Sequence, residues 1–255
     1  MEVHHHPEVE KKGFKEYLLE GLMIFLAVTM GFFAENIREH ITEHHKVKAY
    51  AATMMSDLQA DNDSLKDLIK YYTMASANVD SLTSLLTKND IKKIPTGKLY
   101  YHGLFGGASG TFIPNDATFQ QLKSTGSLQF FEKHIAREIE QYDQLCRRLQ
   151  AIQENDRAIY VEVRKMRARI FEFQYNSQVN NIVQYSYLHG IDTAALNKFL
   201  KSGPPLLTYD PTVFNEYLEM VRSRFLPRLV RSMKMVLTCN TKLLGDMKKE
   251  YGDRE

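Results

Sequence analysis

Two histidines near the N-terminus, His40 and His44, have the spacing of a metal-chelating pair. Residues four apart lie on one face of an α-helix, so both imidazoles can reach the same ion. A zinc or copper site needs a third or fourth ligand, which His4–His6 or a second protomer would have to supply. The competing interpretation is a solvated helix face. We predict no metal and no cofactor site.

Two carboxylates, Glu20 and Glu35, lie at opposite ends of an apolar run. Carboxylates at the edge of a membrane span are costly and usually face protein, water or a partner charge. Arg38 follows Glu35 by three residues, so these two side chains can pair on one helix face. The simpler interpretation of Glu20 is that its carboxylate only reaches out to the membrane interface.

Small residues accompany these charges along one face of the predicted helix. Ala27 and Gly31 are four apart, the small-residue spacing that lets membrane helices approach closely. We therefore predict a helix–helix contact, within a homo-oligomer or with another membrane subunit. Its predicted residues are Glu20, Ala27, Gly31, Ala34, Glu35 and Arg38.

No arrangement of catalytic residues stands out elsewhere in the chain. A Ser-His-Asp spacing, a Cys-His pair and a carboxylate dyad are all lacking. The segment Gly106–Gly110 has the composition of a phosphate loop, but it lacks the Lys-Ser/Thr ending and the preceding apolar strand. Cys146 and Cys239 do not make a disulfide framework; they are either paired after export or two independent half-buried thiols. We predict that the protein is not an enzyme.

The overall charge is close to neutral. A formal net charge of +2 gives no strong field for nucleic acid, which we exclude as a partner. Two basic stretches, 157–169 and 222–234, could face phospholipid head groups. The alternative is ordinary solvated faces, offset in the first stretch by nearby glutamates.

The N-terminal apolar run predicts a transmembrane helix. Gly21–Ala34 carries no charge and would extend roughly 21 Å at 1.5 Å per residue, short of the roughly 30 Å of a bilayer core. Adding the flanking apolar and aromatic residues gives Tyr17–Ile37, about 21 residues, which is enough to span. A helix buried in a soluble core and a cleaved signal peptide are the alternatives.

Orientation rests on a nearly balanced count of basic residues. Three lysines precede the span closely, and Arg38, Lys46 and Lys48 follow it. The short N-terminal tail favours a cytoplasmic N-terminus and a periplasmic domain. We predict a tail at 1–16, a transmembrane helix at 17–37 and a helical extramembrane domain at 38–255.

The rest of the chain reads as helices, giving an all-α fold. An apolar stripe with steps of three, four or seven residues continues unbroken to Lys88, as in a coiled coil or a long bundle. We predict a second long helix at 128–179, antiparallel to the first, and a third at 212–251 that Pro227 kinks or splits. Shorter helices are predicted at 98–105, 117–124 and 193–200. The expected architecture is an elongated antiparallel bundle of three long helices plus these short ones.

Two blocks resemble a group of bacterial single-pass membrane proteins of unknown function. The first is the Glu-flanked anchor Leu19–Glu39, with its apolar run, glycine and Asn/Glu/Arg exit. The second is Asp116–Phe130, which contains the Leu-Lys-x-x-Gly-x-Leu turn of that group and leads into a long helix. The resemblance implies a single-pass protein of the bacterial inner membrane with a helical domain, and it implies no activity.

These patterns favour a membrane-anchored helical scaffold, sensor or accessory subunit that acts through protein contacts. The expected partners are the lipid bilayer and either further copies of this chain or other membrane subunits. No small-molecule substrate is indicated. The alternative from another class is a component of an oligomeric channel or transport complex, in which the carboxylates of the span line a polar path.

Overall fold

The computed structural model describes residues 13–189, 192–224 and 226–252, and His4–His6 lie outside these ranges. Within them the chain forms eight α-helices and no strand, which confirms the all-α prediction for the described residues. The helices are α1 (Phe14–Lys88), α2 (Thr96–Leu104), α3 (Ala117–Ser124), α4 (Lys133–Ala168), α5 (Phe173–His189), α6 (Thr193–Leu200), α7 (Pro211–Ser223) and α8 (Leu226–Tyr251). The chain divides into two compact units, Met1–Tyr50 and Ala51–Glu255.

The first unit consists, in its described part, of the N-terminal portion of α1. Large apolar side chains cover this portion and are exposed on all sides, since Leu22–Leu26 are five consecutive exposed residues. Among the described residues, α1 is the one helix long and apolar enough to cross a membrane, and none of its apolar window is buried. Length and composition therefore make it a candidate membrane anchor.

The apolar stripe of α1 is buried in the second unit. Its fully buried members include Leu58, Leu65 and Leu82, as their helical spacing predicts. Leu68 and Leu85 are only half-buried. The helix has no proline or glycine between Glu35 and Lys88, so the prediction of an unbroken helix to Lys88 is confirmed.

Residues 96–124, here called the return segment, run back along α1. Four hydrogen-bonded pairs define the direction: Asn78 with His102, Tyr72 with Gly110, Asp61 with Asn115 and Asp57 with Thr118. Residue numbers fall on α1 as they rise on the return segment, so the two are antiparallel. The chain has therefore already reversed direction before α4 begins.

As a result α4 runs in the same direction as α1. The Tyr142 hydroxyl of α4 donates to the carboxylate of Asp61 in α1. Further along α4, Gln153 bonds to Phe112, which lies two residues after Gly110, the residue that bonds to Tyr72 of α1. Higher numbers on α4 thus match higher numbers on α1. The prediction that the second long helix is antiparallel to the first is wrong, because the return segment already runs back along α1 and α4 reverses direction once more.

The helices α7 and α8 run antiparallel to α4. Three ion pairs join them: Glu138 with Lys242, Asp156 with Arg224 and Arg169 with Glu216. Numbers on α4 rise as those on α7 and α8 fall. The predicted final helix is split as Pro227 suggested: α7 ends at Ser223, and Pro227 stands in the first turn of α8, where its missing N–H costs nothing.

The predicted second long helix, 128–179, is wrong in both extent and continuity. It begins at Lys133, ends at Ala168 and is followed by the separate helix α5. At the break, Ile170 and Phe171 are buried, Phe171 forms an isolated bridge with Leu206, and the Leu207 amide donates to the Ile170 carbonyl at 2.9 Å. These tertiary contacts replace the helical ones that the local sequence would support.

The short helices follow the predicted boundaries closely. α3 occupies the predicted residues, and it is followed by Gly126 in the left-handed region at φ 69°. Asp192 caps α6, because its carboxylate accepts from the Ala195 amide at 3.0 Å. Asp116 does not cap α3; its carboxylate instead accepts from the Gln120 side chain at 3.2 Å.

Candidate functional site

The predicted helix–helix contact lies on an unbroken stretch of α1. All six of its residues (Glu20, Ala27, Gly31, Ala34, Glu35 and Arg38) are exposed. With 3.6 residues per turn, they fall within about 100° of one another around the helix axis. A Cβ added at Gly31 would meet nothing within 4 Å. The face is thus continuous and open, and its contact with another helix remains a prediction.

Glu35 and Arg38 form the ion pair that their spacing predicts. The guanidinium donates twice to the carboxylate, with N–O distances of 3.0 and 2.5 Å. Such a two-bond pair fixes both side chains and reduces the net charge at this end of the apolar stretch.

The histidine pair has weak surroundings for a metal. His40 Nδ1 lies 3.9 Å from a carboxylate oxygen of Glu43, and the rings of His44 and His45 are 6.5 Å apart, edge to face. Nowhere in the described ranges do three His, Cys, Asp or Glu side chains come together in a way that could hold a metal ion.

A buried polar network in the second unit was not predicted. Asp61 is fully buried and accepts hydrogen bonds from the Asn115 amide at 2.9 Å and the Tyr142 hydroxyl at 2.6 Å. Asn240 of α8 joins it by donating to the Tyr142 hydroxyl at 3.4 Å, and it also donates to the Leu58 carbonyl at 2.9 Å. The network ties α1, α4, α8 and the return segment together at one level.

Burial governs the ionisation of this network. It raises the pKa of the Tyr142 hydroxyl far above its usual range, with Cys146 and Asp61 adding to the effect. Burial likewise raises the pKa of Cys146 to about 12, so this thiol stays protonated. Cys146 and Cys239 are both free thiols, as one of the two sequence interpretations had it.

The glycine-rich part of the return segment is held in place by side chains. The Tyr72 hydroxyl bonds to both the amide and the carbonyl of Gly110 at 2.8 Å, and the Gln153 amide makes a two-bond pair with Phe112 at 2.8 and 3.1 Å. The Tyr217 hydroxyl donates to the Gly103 carbonyl at 2.5 Å. The backbone of this irregular segment is thus satisfied by α1, α4 and α7.

A buried ion pair also holds the backbone of this glycine-rich segment in place. Arg224 has a fully buried side chain and donates to both carboxylate oxygens of Asp156 at 2.9 and 2.5 Å. Its remaining NH1 group donates to the Gly106 carbonyl at 2.9 Å. Position 106 requires a glycine, because an added Cβ would lie 2.1 Å from the Tyr217 hydroxyl oxygen.

Beside these anchors lies an open cleft of about 490 Å³. Its walls come from the return segment and α4, with Tyr72 and Leu229 at its edges; the polar side chains include Ser109, Thr111, Gln150, Glu154, Arg157 and Tyr160. Two guanidinium groups lie over the Tyr160 ring, with the carbon atoms of Arg224 and Arg164 at 5.2 and 5.6 Å from its centroid.

The surroundings of the Tyr160 phenol lower its pKa. Burial alone would raise its pKa, but a hydrogen bond with Ser109 and the nearby guanidinium of Arg164 together lower it. Arg167 contributes in the same sense, although its own side chain is turned to the Leu104 carbonyl, 3.1 Å away.

The two basic stretches do not behave as uniform surfaces. Arg224 is buried against Asp156, while Lys165 and Arg169 pair with Glu162 and Glu216. Arg224 of the second stretch is thus neutralised inside the fold, whereas the exposed pair of Lys165 with Glu162 fits the solvated interpretation of the first stretch.

Sequence reasoning missed these residues for identifiable reasons. Asp61 and Asn62 fall between Leu58 and Leu65 in the apolar stripe of α1, and polar residues at that point signal a buried network. Gln153 and Tyr160 carry no comparable signal, because their role depends on a segment more than 40 residues away in the chain. Comparison of the chain with family models, curated proteins and solved structures finds no match.

Proposed function

We propose that the protein is a single-pass membrane protein whose helical domain acts through protein contacts as a scaffold, sensor or accessory subunit. One observation carries the proposal: the apolar side chains of α1 between Phe14 and Ile41 are exposed around the whole helix. A helix that is apolar on every side needs either a protein core or lipid around it. Large exposed apolar surfaces of this kind mark membrane or protein contacts.

The physical case for lipid rests on the charges at the ends. From Gly21 to Ala34 the helix has no charged residue, and Glu20 and Glu35 bracket it. Tyr17 stands where aromatic residues anchor a helix at the lipid interface. The resemblance to bacterial single-pass proteins supports the same assignment to the inner membrane.

The proposed topology has the N-terminus in the cytoplasm and residues 38–255 in the periplasm. Single cysteines introduced at Glu8 and at Lys123, an exposed residue of α3, test it in a background with Cys239 replaced by serine. A membrane-impermeant maleimide added to intact spheroplasts is expected to label Lys123→Cys and to spare Glu8→Cys. Labelling of Glu8→Cys alone would show the reverse orientation.

Assembly through the span is the second part of the proposal. The face containing Ala27 and Gly31 lets two helices approach closely, so a second copy can pack against it. We expect Gly31→Leu to widen this contact and weaken association by about 1–2 kcal/mol, as in model membrane helix pairs. Cross-linking in native membranes measures the loss of dimers or higher species.

Gly21→Leu is the matched control for this experiment. Both glycines are exposed, and a Cβ at either meets nothing within 4 Å, so each leucine adds the same bulk. Gly21 lies about 80° from Gly31 around the helix and outside the proposed face. Equal cross-linking in the two variants, or none in the unmodified protein, would contradict assembly through this face.

The rival function is a channel or transport component. The carboxylates at both ends of the exposed apolar stretch favour it, since an oligomer could turn Glu20 and Glu35 towards a polar path. Planar-bilayer conductance of the unmodified protein is compared with Glu20→Gln and Glu35→Gln. The proposed contact module predicts no current that depends on either carboxylate, and a current lost in either variant would favour the rival.

A further inference from the structure

The cleft between the return segment and α4 is built before any ligand arrives. Side chains of α1 and α4 hold the backbone of Gly110 and Phe112 in place through four hydrogen bonds of 2.8 to 3.1 Å. Ordered walls reduce the entropy lost on binding. The volume of about 490 Å³ lies within the range of small-molecule sites.

The return segment brings a hydroxyl group to this cleft. The Gly110 and Phe112 backbone groups are already satisfied and the Ser109 hydroxyl bonds to the Tyr160 phenol, so the wall offers the side chain of Thr111 instead. Thr111 is exposed. Hydroxyl groups donate readily to oxyanions such as phosphate or carboxylate.

Positive charge outweighs negative charge around the cleft. Arg157 lines it and is exposed, and Arg164 lies at its Tyr160 wall. Of the two acids, the Asp156 carboxylate is neutralised by a two-bond pair with Arg224, which leaves Glu154 on the rim. The pKa of the Tyr160 phenol is lowered first by the Ser109 hydrogen bond and then by the charges of Arg164 and Arg167.

We propose that this cleft binds a small soluble oxyanion, a phosphate or carboxylate compound, through the Arg157 guanidinium and the Thr111 hydroxyl. A guanidinium binds such groups by charge-assisted, often bidentate hydrogen bonds. The proposal goes beyond the contact module proposed above, because it gives the helical domain a ligand to respond to. It does not depend on whether the span assembles.

Inorganic phosphate is the probe for the test. The full chain is purified in a maltoside detergent, which carries no phosphate, and titrated in chloride buffer while the ³¹P line width is followed. We expect saturable broadening with a dissociation constant on the order of 1 mM. Arg157→Gln should weaken binding about tenfold and Thr111→Val a few-fold, because each removes a charge-assisted hydrogen bond to the ligand.

Arg231→Gln is the control, because it removes one positive charge from an exposed residue of α8 that does not line the cleft. It should bind phosphate like the unmodified protein. Equal weakening in Arg157→Gln and Arg231→Gln would mean general charge attraction and would overturn the site. Absence of saturable broadening up to 20-fold above the expected constant would do the same.

A second arm separates a soluble ligand from a lipid head group. Phosphatidylglycerol is added to the maltoside micelles, and its binding is compared between the unmodified protein and Arg157→Gln. Arg157-dependent binding of the lipid without any of inorganic phosphate would assign the cleft to membrane head groups and refute a soluble ligand. Circular dichroism of every variant, unchanged at 222 nm, confirms that the fold is intact.

Discussion

Breaking the ion pair between Asp156 and Arg224 should destabilise the helical domain strongly. Asp156→Asn leaves a charged guanidinium whose side chain is 0% exposed, with the Gly106 carbonyl as its remaining strong acceptor. Removing one partner of a buried pair costs about 3–5 kcal/mol, because the other charge stays buried without compensation. Asp156 itself is only 11% exposed, so little water can replace the lost carboxylate charge.

The control is the pair between Arg169 and Glu216, which joins the same two helices at the surface. These side chains are 56% and 49% exposed, at an N–O distance of 3.2 Å. Glu216→Gln should therefore cost about 0–1 kcal/mol, the range of exposed pairs. Asp156→Asn and Glu216→Gln both replace a carboxylate by an amide, so the main difference between them is the burial of the ion pair.

Urea unfolding of the full chain in maltoside, followed by circular dichroism, measures both changes. With a slope of roughly 2–3 kcal/mol per molar urea, Asp156→Asn should lower the midpoint by about 1–2 M. Glu216→Gln should shift it by less than about 0.5 M. The double replacement Asp156→Leu with Arg224→Met should recover much of the loss, because no buried charge remains. Similar midpoints for Asp156→Asn and Glu216→Gln would refute the reasoning.

Two further predictions concern the return segment. Gly106→Ala should lower the unfolding free energy by about 1–3 kcal/mol, since the new methyl group overlaps the Tyr217 hydroxyl, whereas Gly203→Ala, with open space around it, should be nearly neutral in the same urea titration. The His102 imidazole should titrate below its usual pKa of about 6.5 in NMR spectra, because burial and then the Lys98 charge disfavour its protonated form. Between the lowered folded pKa and 6.5 the unfolded state binds more protons, so stability should fall as pH drops below about 6.5, less so in His102→Gln.

Local signals in the sequence sufficed for the parts of the fold that depend on neighbouring residues. The unbroken course of α1, the cap at Asp192 and the break at Pro227 follow from helix chemistry within a few positions. α3 and the positive φ of Gly126 belong to the same class. In each case no distant contact was needed to decide the outcome.

The remaining features depend on residues far apart in the chain. The break after Ala168 contains no proline or glycine; it exists because Phe171 packs against Tyr100, Phe214 and Tyr217 and bridges to Leu206. The stretch between α2 and α3 is predicted only as a break between helices, because distant side chains of α1 and α4 hold its backbone. The sequence pattern therefore did not reveal the reversal of chain direction that makes α4 parallel to α1.

The cleft was equally invisible to sequence patterns. Tyr72 looked like an ordinary member of an apolar stripe, and its hydroxyl gained a role only once Gly110 lay against it. Arg157 of one basic stretch stays exposed, whereas Arg224 of the other turns inward to a carboxylate. Which arginine stays at the surface is decided by packing, and that information is not local.

The side-chain support of the return segment also sets an order of events in synthesis. The carbonyls of Gly103 and Gly106 find their partners on Tyr217 and Arg224, which are 114 and 118 residues further along the chain. A ribosome adding roughly 5–20 residues per second needs on the order of 6–24 s to cover that distance. Until then these two carbonyls lack their native partners, so the hydrogen bonding of the glycine-rich stretch is completed only after α7 has been made. The last helices to be made therefore close the domain.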